Sequence, residues 1–476
     1  MRSITIPTAA HQILSHLQEH GFEAYLVGGG VRDILMGNAA KDWDFTTNAT
    51  PEQIVHLFPG AYYNNDFGTV GLAHEHLLEQ FPALSNVSHS EVLGNGVYEI
   101  TTFRRDFDYT NNRKPDRVEW GESIEDDLER RDFTMNSIAL KMIDPIKQEH
   151  MHLNTVEVNV QLVDPFDGLG AITSKTIVAV GNAHDRFNED ALRMMRAIRF
   201  GAQLGFSIEA NTLQAIKENN HLIKNISFER IRDELLKILA SQYPADGILL
   251  LLSSGLLEHI VPEMVASQSV IQGGRHKFDV WKHSLESLKE CPSTDPVVRL
   301  ATWLHDVGKP VTQRFEGPRG VTFYGHEVVG ARMARDIARR LRLPKKDIDR
   351  IFTLVRWHMF TYSPEMTDAA VRRFIKRVGR ENINDMMMLR IGDRKGGGSN
   401  ATSWRLRELQ QRIGENLYEP MSLKDLAING TDLMEALQLA PGKKVGEILN
   451  ALFEEVIEEP ERNNTVYLLD RAKQLL

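Results

Sequence analysis

The segment Glu23–Thr47, "EAYLVGGGVRDILMGNAAKDWDFTT", constrains the fold more than any other stretch of the chain. Its opening reads as a short buried strand, the three glycines as a turn, "VRDILMG" as a helix and "DWDFTT" as a second strand. Glycines at that point let backbone approach a phosphate closely and supply N–H donors at a helix start. Residues two apart in a strand share a face, so Asp42 and Asp44 are expected to project together, with Trp43 turned into the core. Carboxylates that close repel each other unless a cation lies between them, and hard oxygen ligands select Mg²⁺. Two such ions activate an attacking hydroxyl and steady a leaving phosphate. Glu99, mid-strand in "VYEITTFR", is the candidate third carboxylate.

Upstream, "AAHQILSHLQEHG" carries apolar residues at helical spacing and stops at Gly21. After Arg186 the character changes. "RFNEDALRMMRAIRFGAQLGF" and "FERIRDELLKILAS" are helical patterns, and few strand signals follow. The fold class is therefore α+β, a mixed front followed by an all-helical back. A chain of 476 residues allows about two to four domains. "ASQSVIQGGRHK" and "DRKGGGSNATS" are the candidate boundaries in the helical half, and "AHEHLLEQFPALSNVSHSEVLGNG" reads as a loop or hairpin. No long apolar run predicts a membrane span, and the first residues lack a signal peptide's apolar core. Cys291 is the only cysteine, which excludes an internal disulfide framework and suits a cytoplasmic protein. The net charge of −9 does not exclude nucleic acid, because phosphates respond to a local basic face.

Five segments then appear in order: "LVGGGVRD", "KDWDFTT", "RRDFTMNSIAL", "DPFDGLGAI" and "RFNEDALRMMRAIRF". Together they resemble the successive motifs of bacterial-type (class II) CCA-adding tRNA nucleotidyltransferases and their poly(A) polymerase relatives, over roughly the first half of the chain. The resemblance implies a polymerase-β-like head of mixed sheet and helices over 1–180, and a helical neck for base selection and RNA binding over 181–255. An HD domain over 256–400 and a helical, tRNA-binding tail over 401–476 follow. Asp42 and Asp44 match the family's metal-binding carboxylates, with Glu99 as third catalytic acid, and Gly28 and Gly29 match its triphosphate turn. Arg130, Arg131, Asp132 and Asn136 suit triphosphate oxygens and a ribose hydroxyl, or else form a solvated basic helix end. Arg32 and Asp33 contact phosphate or cap a helix; Arg196 and Arg199 join the nucleotide-binding set. Residues 106–118 resemble the flexible loop the family uses to switch from C to A addition, with Phe107 where a glycine is expected.

Asp190 and Arg193 lie at i, i+3 in a helical pattern and are expected to face one way. Asp accepts hydrogen bonds only and Arg donates only. Cytosine and adenine each present an amino donor beside a ring-nitrogen acceptor, whereas guanine and uracil present the opposite order. Such a pair accepts C and A and leaves polar groups unpaired against G and U.

In the second half, His283, His305, Asp306, His326, His358 and Asp393 follow one another on or beside helical patterns. Imidazole and carboxylate suit Mn²⁺, Ni²⁺ or Mg²⁺, and a metal-bound water attacks phosphoesters. The order of these residues resembles the HD phosphohydrolases and implies activity on a phosphodiester such as a 2′,3′-cyclic end. Further on, Lys443 and Lys444 in "APGKKVG" read as a glycine turn able to meet phosphate. The first functional expectation is template-independent addition of CCA to tRNA from CTP and ATP, with Mg²⁺ in the head. One alternative is a poly(A) polymerase or A-adding enzyme. Another makes the HD part the working hydrolase and the head a binding module.

Overall fold

The computed structural model describes residues 2–476 apart from 41, 64–67, 83, 85–96, 111–113, 144–153, 274–277, 318–319 and 421, and leaves aside the side chains at 106–110 and 114–118. The chain forms two compact units, Met1–Ile260 and Val261–Leu476.

Ten strands organise the front of the first unit: β1 (Arg2–Pro7), β2 (Ala24–Val27), β3 (Asp44–Thr47), β4 (Tyr62–Tyr63), β5 (Thr69–Ala73), β6 (Val97–Thr102), β7 (Arg104–Thr110), β8 (Lys114–Trp120), β9 (Ala139–Met142) and β10 (Thr155–Val163). Eight of them make one mixed sheet in the order β1-β10-β9-β2-β3-β6-β5-β4, while β7 and β8 pair apart from it. Only β3 and β6 run parallel within that sheet. β2 is buried on every residue, as its central place demands, whereas β10 alternates exposed and buried residues as a strand with one wet face does. The helix Thr8–Glu19 buries Ala9, Ala10, Ile13, Leu14 and Leu17 at helical spacing, and Gly21 follows it at positive φ. Behind the sheet come helices Ala183–Glu189, Leu192–Leu204, Phe228–Ala240 and Pro244–Ser253.

Among its described residues the second unit is helical apart from one short antiparallel pair, Arg314–Phe315 with Val321–Thr322, which the expected all-helical back did not include. Trp303 is fully buried and meets Trp281 edge-on at 6.5 Å. Toward the end of the chain, Leu433, Ile448, Leu452, Phe453, Val456, Ile457 and Leu468 form a separate apolar cluster.

Several local expectations are revised. The three glycines are not a turn before a helix but its first residues, Gly28–Leu35. Asp42 precedes β3 and is exposed, so the two aspartates do not share a strand, although Trp43 is buried as expected. Asp190 lies between two helices, because the pattern around it breaks into Ala183–Glu189 and Leu192–Leu204. The start of the expected loop at 73–96 is a helix, His74–Gln80; 85–96 lie outside the described residues. Of residues 106–118, 106–110 belong to β7 and 114–118 to β8, with Phe107 opposite Arg117; 111–113 lie outside the described residues. The helix Ile383–Gly396 runs into the start of the candidate boundary "DRKGGGSNATS". Lys443 opens a helix, Lys443–Glu458, and its ammonium lies 3.3 Å from Glu447.

Candidate functional site

The first unit holds a cavity of about 570 Å³ whose lining includes seven arginines and four aspartates. Its floor is made where helix Gly28–Leu35 meets β3. Gly28 sits at φ +78°, and a Cβ there would lie 2.7 Å from Asp44 Oδ2. Glycine is therefore required twice, by backbone conformation and by the carboxylate against it. The parallel pairing of β3 with β6 sets Glu99 opposite Asp44. Burial first, then the charges of Glu99 and Asp42, push the Asp44 carboxyl up to about 6 against the pull of Arg131. Carboxylates crowded so that one is harder to ionise are a donor set that a hard divalent cation relieves. Asp42 and Asp44 line the cavity; Glu99 is exposed and is not part of its lining.

Each arginine is aimed by an acid. Asp127, fully buried, accepts from Arg130 Nε at 2.9 Å and Nη2 at 2.5 Å, and from Arg131 Nη2 at 3.0 Å. Burial alone would raise its carboxyl; the two guanidinium groups outweigh burial and hold it below the usual range. Asp132 accepts from Arg196 Nε at 2.7 Å, from Asn136 Nδ2 at 3.3 Å and from the Phe133 N–H at 2.9 Å. Asn136 Oδ1 accepts in turn from Arg32 Nη1 at 3.1 Å, while Arg32 Nη2 holds Asp33 at 2.7 Å. Glu234 takes Arg199 Nε at 2.6 Å. The guanidiniums of Arg199, Arg32 and Arg196 surround the Phe200 ring at 4.2, 5.4 and 5.7 Å.

Asp190 and Arg193 both line the cavity; the Arg193 N–H donates to the Asp190 carbonyl at 3.0 Å, and their side chains take other partners. Asp190, the C-cap of Ala183–Glu189, accepts the Leu192 N–H at 3.0 Å and is gripped by Arg230 Nη2 at 2.7 Å. Arg193 reaches Glu189 at 2.5 Å and the Arg130 carbonyl at 2.9 Å. The two are thus separately held, an acceptor and a donor on one wall. Of the residues expected to bind nucleotide, Gly28, Gly29, Arg32, Arg130, Arg131, Asp132, Asn136, Asp190, Arg193, Arg196 and Arg199 line this one cavity, whereas Asp33 does not. Sequence reasoning missed Asp127, Phe200, Arg230 and Glu234. Asp127 was findable, three and four residues before Arg130 and Arg131 in a helical register. Arg230 and Glu234 were not, because they arrive from the separate helix Phe228–Ala240.

The second unit gathers all six expected His and Asp residues. His283 Nε2 lies 3.2 Å from His305 Nε2 and 3.2 Å from Asp393 Oδ1. Asp306 Oδ2 is 3.2 Å from His305 Nε2, and its Oδ1 is 3.3 Å from His326 Nε2 and 3.8 Å from His358 Nε2. His305, His326 and His358 donate Nδ1–H to the carbonyls of Thr302, Phe323 and Val355 at 2.7, 2.8 and 2.7 Å. Those bonds fix the tautomer and leave the Nε2 lone pairs facing inward, as metal-binding imidazoles require. His283, His305 and Asp393 form one group of ligand atoms within 4.8 Å of one another, and His305, Asp306 and His358 another. Backbone contact at glycine assembles the set: a Cβ at Gly392 would lie 2.6 Å from the Ser287 carbonyl, one at Gly396 2.5 Å from the Ser287 nitrogen, and one at Gly308 2.3 Å from the His326 carbonyl. Lys309 Nζ holds Asp306 Oδ2 at 2.6 Å. Burial would raise the Asp306 carboxyl, but His305 and Lys309 hold it well below the usual range; burial pushes His358 down to about 3.

The "Poly A polymerase head domain" family matches residues 24–178, the "Probable RNA and SrmB- binding site of polymerase A" matches 205–267, and "tRNA nucleotidyltransferase domain 2 putative" matches 328–472. A CCA-adding enzyme of Lactococcus lactis is 31% identical over 467 residues, 98% of this chain and 97% of the relative. An A-adding tRNA nucleotidyltransferase of Deinococcus radiodurans is 33% identical over 445 residues, 90% of this chain and 91% of the relative. The crystal structure of the Bacillus stearothermophilus CCA-adding enzyme in complex with CTP superposes with a TM-score of 0.68 at 26% identity, covering 98% of this chain and 97% of the other. Ordered motifs, fold and near full-length similarity agree, and the chain belongs to the family of poly(A) polymerase-like tRNA nucleotidyltransferases, the family of the CCA-adding enzymes.

Proposed function

We propose that this chain adds or repairs the 3′-terminal CCA of tRNA from CTP and ATP, without a nucleic-acid template. The observation that carries the reading is one arginine-lined cavity with acids of the metal-binding kind at one end and a held acceptor–donor pair on its wall. Asp42 and Asp44, with Glu99 beside them, would hold Mg²⁺; bound there, it supplies charge neutralisation and activation of the attacking 3′ hydroxyl. Arg130 and Arg131 bind triphosphate oxygens as forks aimed by Asp127. Arg32, Arg196 and Arg199 add positive charge, and Asp132 and Asn136 position them. The tRNA 3′ oxygen attacks the α-phosphorus, the bond to the bridging oxygen breaks, and pyrophosphate leaves. Asp190 and Arg193 select C and A by hydrogen-bond complementarity. The family resemblance supports a head over 1–180, a neck over 181–255 and a tRNA-binding tail over 401–476. An enzyme of tRNA maturation with a single cysteine suits the cytoplasm.

The test uses tRNA lacking CCA, tRNA ending in CC, and each nucleotide separately. Addition of two C and then one A is expected. Addition of A alone, only to the CC substrate, would establish the A-adding alternative, which the Deinococcus relative keeps in play. A second activity is favoured by the inward-facing imidazoles. We read 256–400 as an HD-type domain whose His283, His305, Asp306, His326, His358 and Asp393 would hold Mn²⁺, Ni²⁺ or Mg²⁺, which supplies a nucleophilic water for phosphoester hydrolysis. Hydrolysis of bis(p-nitrophenyl) phosphate with each metal tests it, and inactivity with all of them would leave the cluster as a scaffold.

A further inference from the structure

Beside the His/Asp centre, the second unit has another cavity, of about 200 Å³. Arg390, Arg394 and Arg405 line it together with Phe360, Tyr362 and Ser403, and no acid is among its lining residues. The contrast with the head cavity, where arginines and aspartates alternate, is chemical: Arg390 is paired with Asp393 outside the lining, while Arg394 and Arg405 leave the lining net positive, which favours an anion. Its aromatic walls are held in place. Arg412 donates to Tyr362 Oη at 3.2 Å, and Phe360 packs on Phe374 with ring centroids 4.8 Å apart. Arg390 lies 5.3 Å over the Phe360 ring. Guanidinium groups beside fixed aromatic rings match a phosphate joined to a base.

The cavity also shares its framework with the centre. Phe360 follows His358 by two residues, and Asp393 stands between Arg390 and Arg394 on one helix. Arg390 Nη1 donates to Asp393 Oδ2 at 2.7 Å, while Asp393 Oδ1 faces His283 at 3.2 Å. One carboxylate therefore joins the arginine wall to the candidate metal ligands. We infer that this cavity is a nucleotide-binding subsite that presents a nucleoside phosphate, free or at an RNA 3′ end, to the His/Asp centre. Its part in hydrolysis rests on the reading of that centre given above; its binding of a nucleotide does not.

Photolabelling separates the two. The full-length protein is irradiated with 8-azidoadenosine monophosphate, and the labelled peptides are mapped by mass spectrometry. Label is expected on residues 358–364 or 390–409 in addition to the head, and Arg394→Glu and Arg405→Glu should lower it at least tenfold relative to head label, which serves as the internal measure of folding. Excess AMP and excess of a CCA trinucleotide are the competing arms; stronger protection by one identifies the source, and protection by inorganic phosphate alone at equal concentration overturns a nucleotide subsite. Label confined to the head, or unaltered by both substitutions, likewise overturns it. Failure of bis(p-nitrophenyl) phosphate hydrolysis with the label still in place would remove the reaction and keep the site.

Discussion

The head cavity and the His/Asp centre are both built from buried charge, and they balance it in opposite ways. In the head, acids are used twice: Asp127, Asp132 and Glu234 aim arginines, while Asp42, Asp44 and Glu99 crowd together and leave one carboxyl raised to about 6. The result is a wide basin, ready for a large polyanion and its cations. In the second unit, Asp306 and Asp393 are instead surrounded by imidazoles, Lys309 and Arg390, and are held below the usual carboxylate range. That centre is compact and its ring nitrogens are already oriented. Rigid orientation through backbone carbonyls suits a single ion and its water, whereas arginines on acid tethers suit a substrate that changes from C to A between cycles.

If the two sites are chemically separate, single substitutions should separate their activities. Asp44→Ala is expected to cost nucleotide addition at least about a thousandfold, and His305→Ala to abolish hydrolysis while sparing addition; single-turnover extension of tRNA beside phosphodiester hydrolysis measures both. One folded variant losing both activities equally would break the comparison. The next effect is structural. Asp127→Asn leaves two guanidinium groups facing a neutral partner, and the expected loss is about 3–5 kcal/mol by urea denaturation, the range for breaking a buried pair. Wild-type stability would mean the arginines are not anchored as described.

A smaller effect concerns base choice. Asp190→Ala and Arg193→Ala should raise incorporation of UTP or GTP relative to CTP and ATP by about ten- to a hundredfold, and Arg230→Ala by less, since it holds Asp190 without belonging to the acceptor–donor pair. Unchanged ratios would return the pair to a structural role. The smallest is a difference in the sign of a slope. Without metal, Asp44 has a folded pKa raised above its unfolded value, so its favourable contribution is complete below about 4 and is lost as pH rises through about 6. Asp306 is depressed, so its contribution is present above the unfolded value near 3.8 and is lost as pH falls below it. Denaturation midpoints in EDTA across this range, for Asp44→Asn and Asp306→Asn beside the parent, should show the two slopes cancelled separately.

Short-range features were legible in the sequence. The buried Trp43, the helix ending before Gly21 and the mixed-then-helical order follow from local sterics and periodicity, which act within a few residues. So were the residue types of both centres, since metal and phosphate chemistry admit few donors. What the chain could not reveal by itself was how those residues are held. Glu99 stands beside Asp44 only because β6 pairs parallel to β3. Arg230 reaches Asp190, and Glu234 reaches Arg199, only because the helix Phe228–Ala240 packs on Leu192–Leu204. Asp190 left the helical register that periodicity assigned it and became the C-cap of Ala183–Glu189. Tertiary structure decided these matters because strand pairing and helix packing minimise exposed apolar surface over the whole unit, and a charged side chain takes the partner which that burial brings within reach.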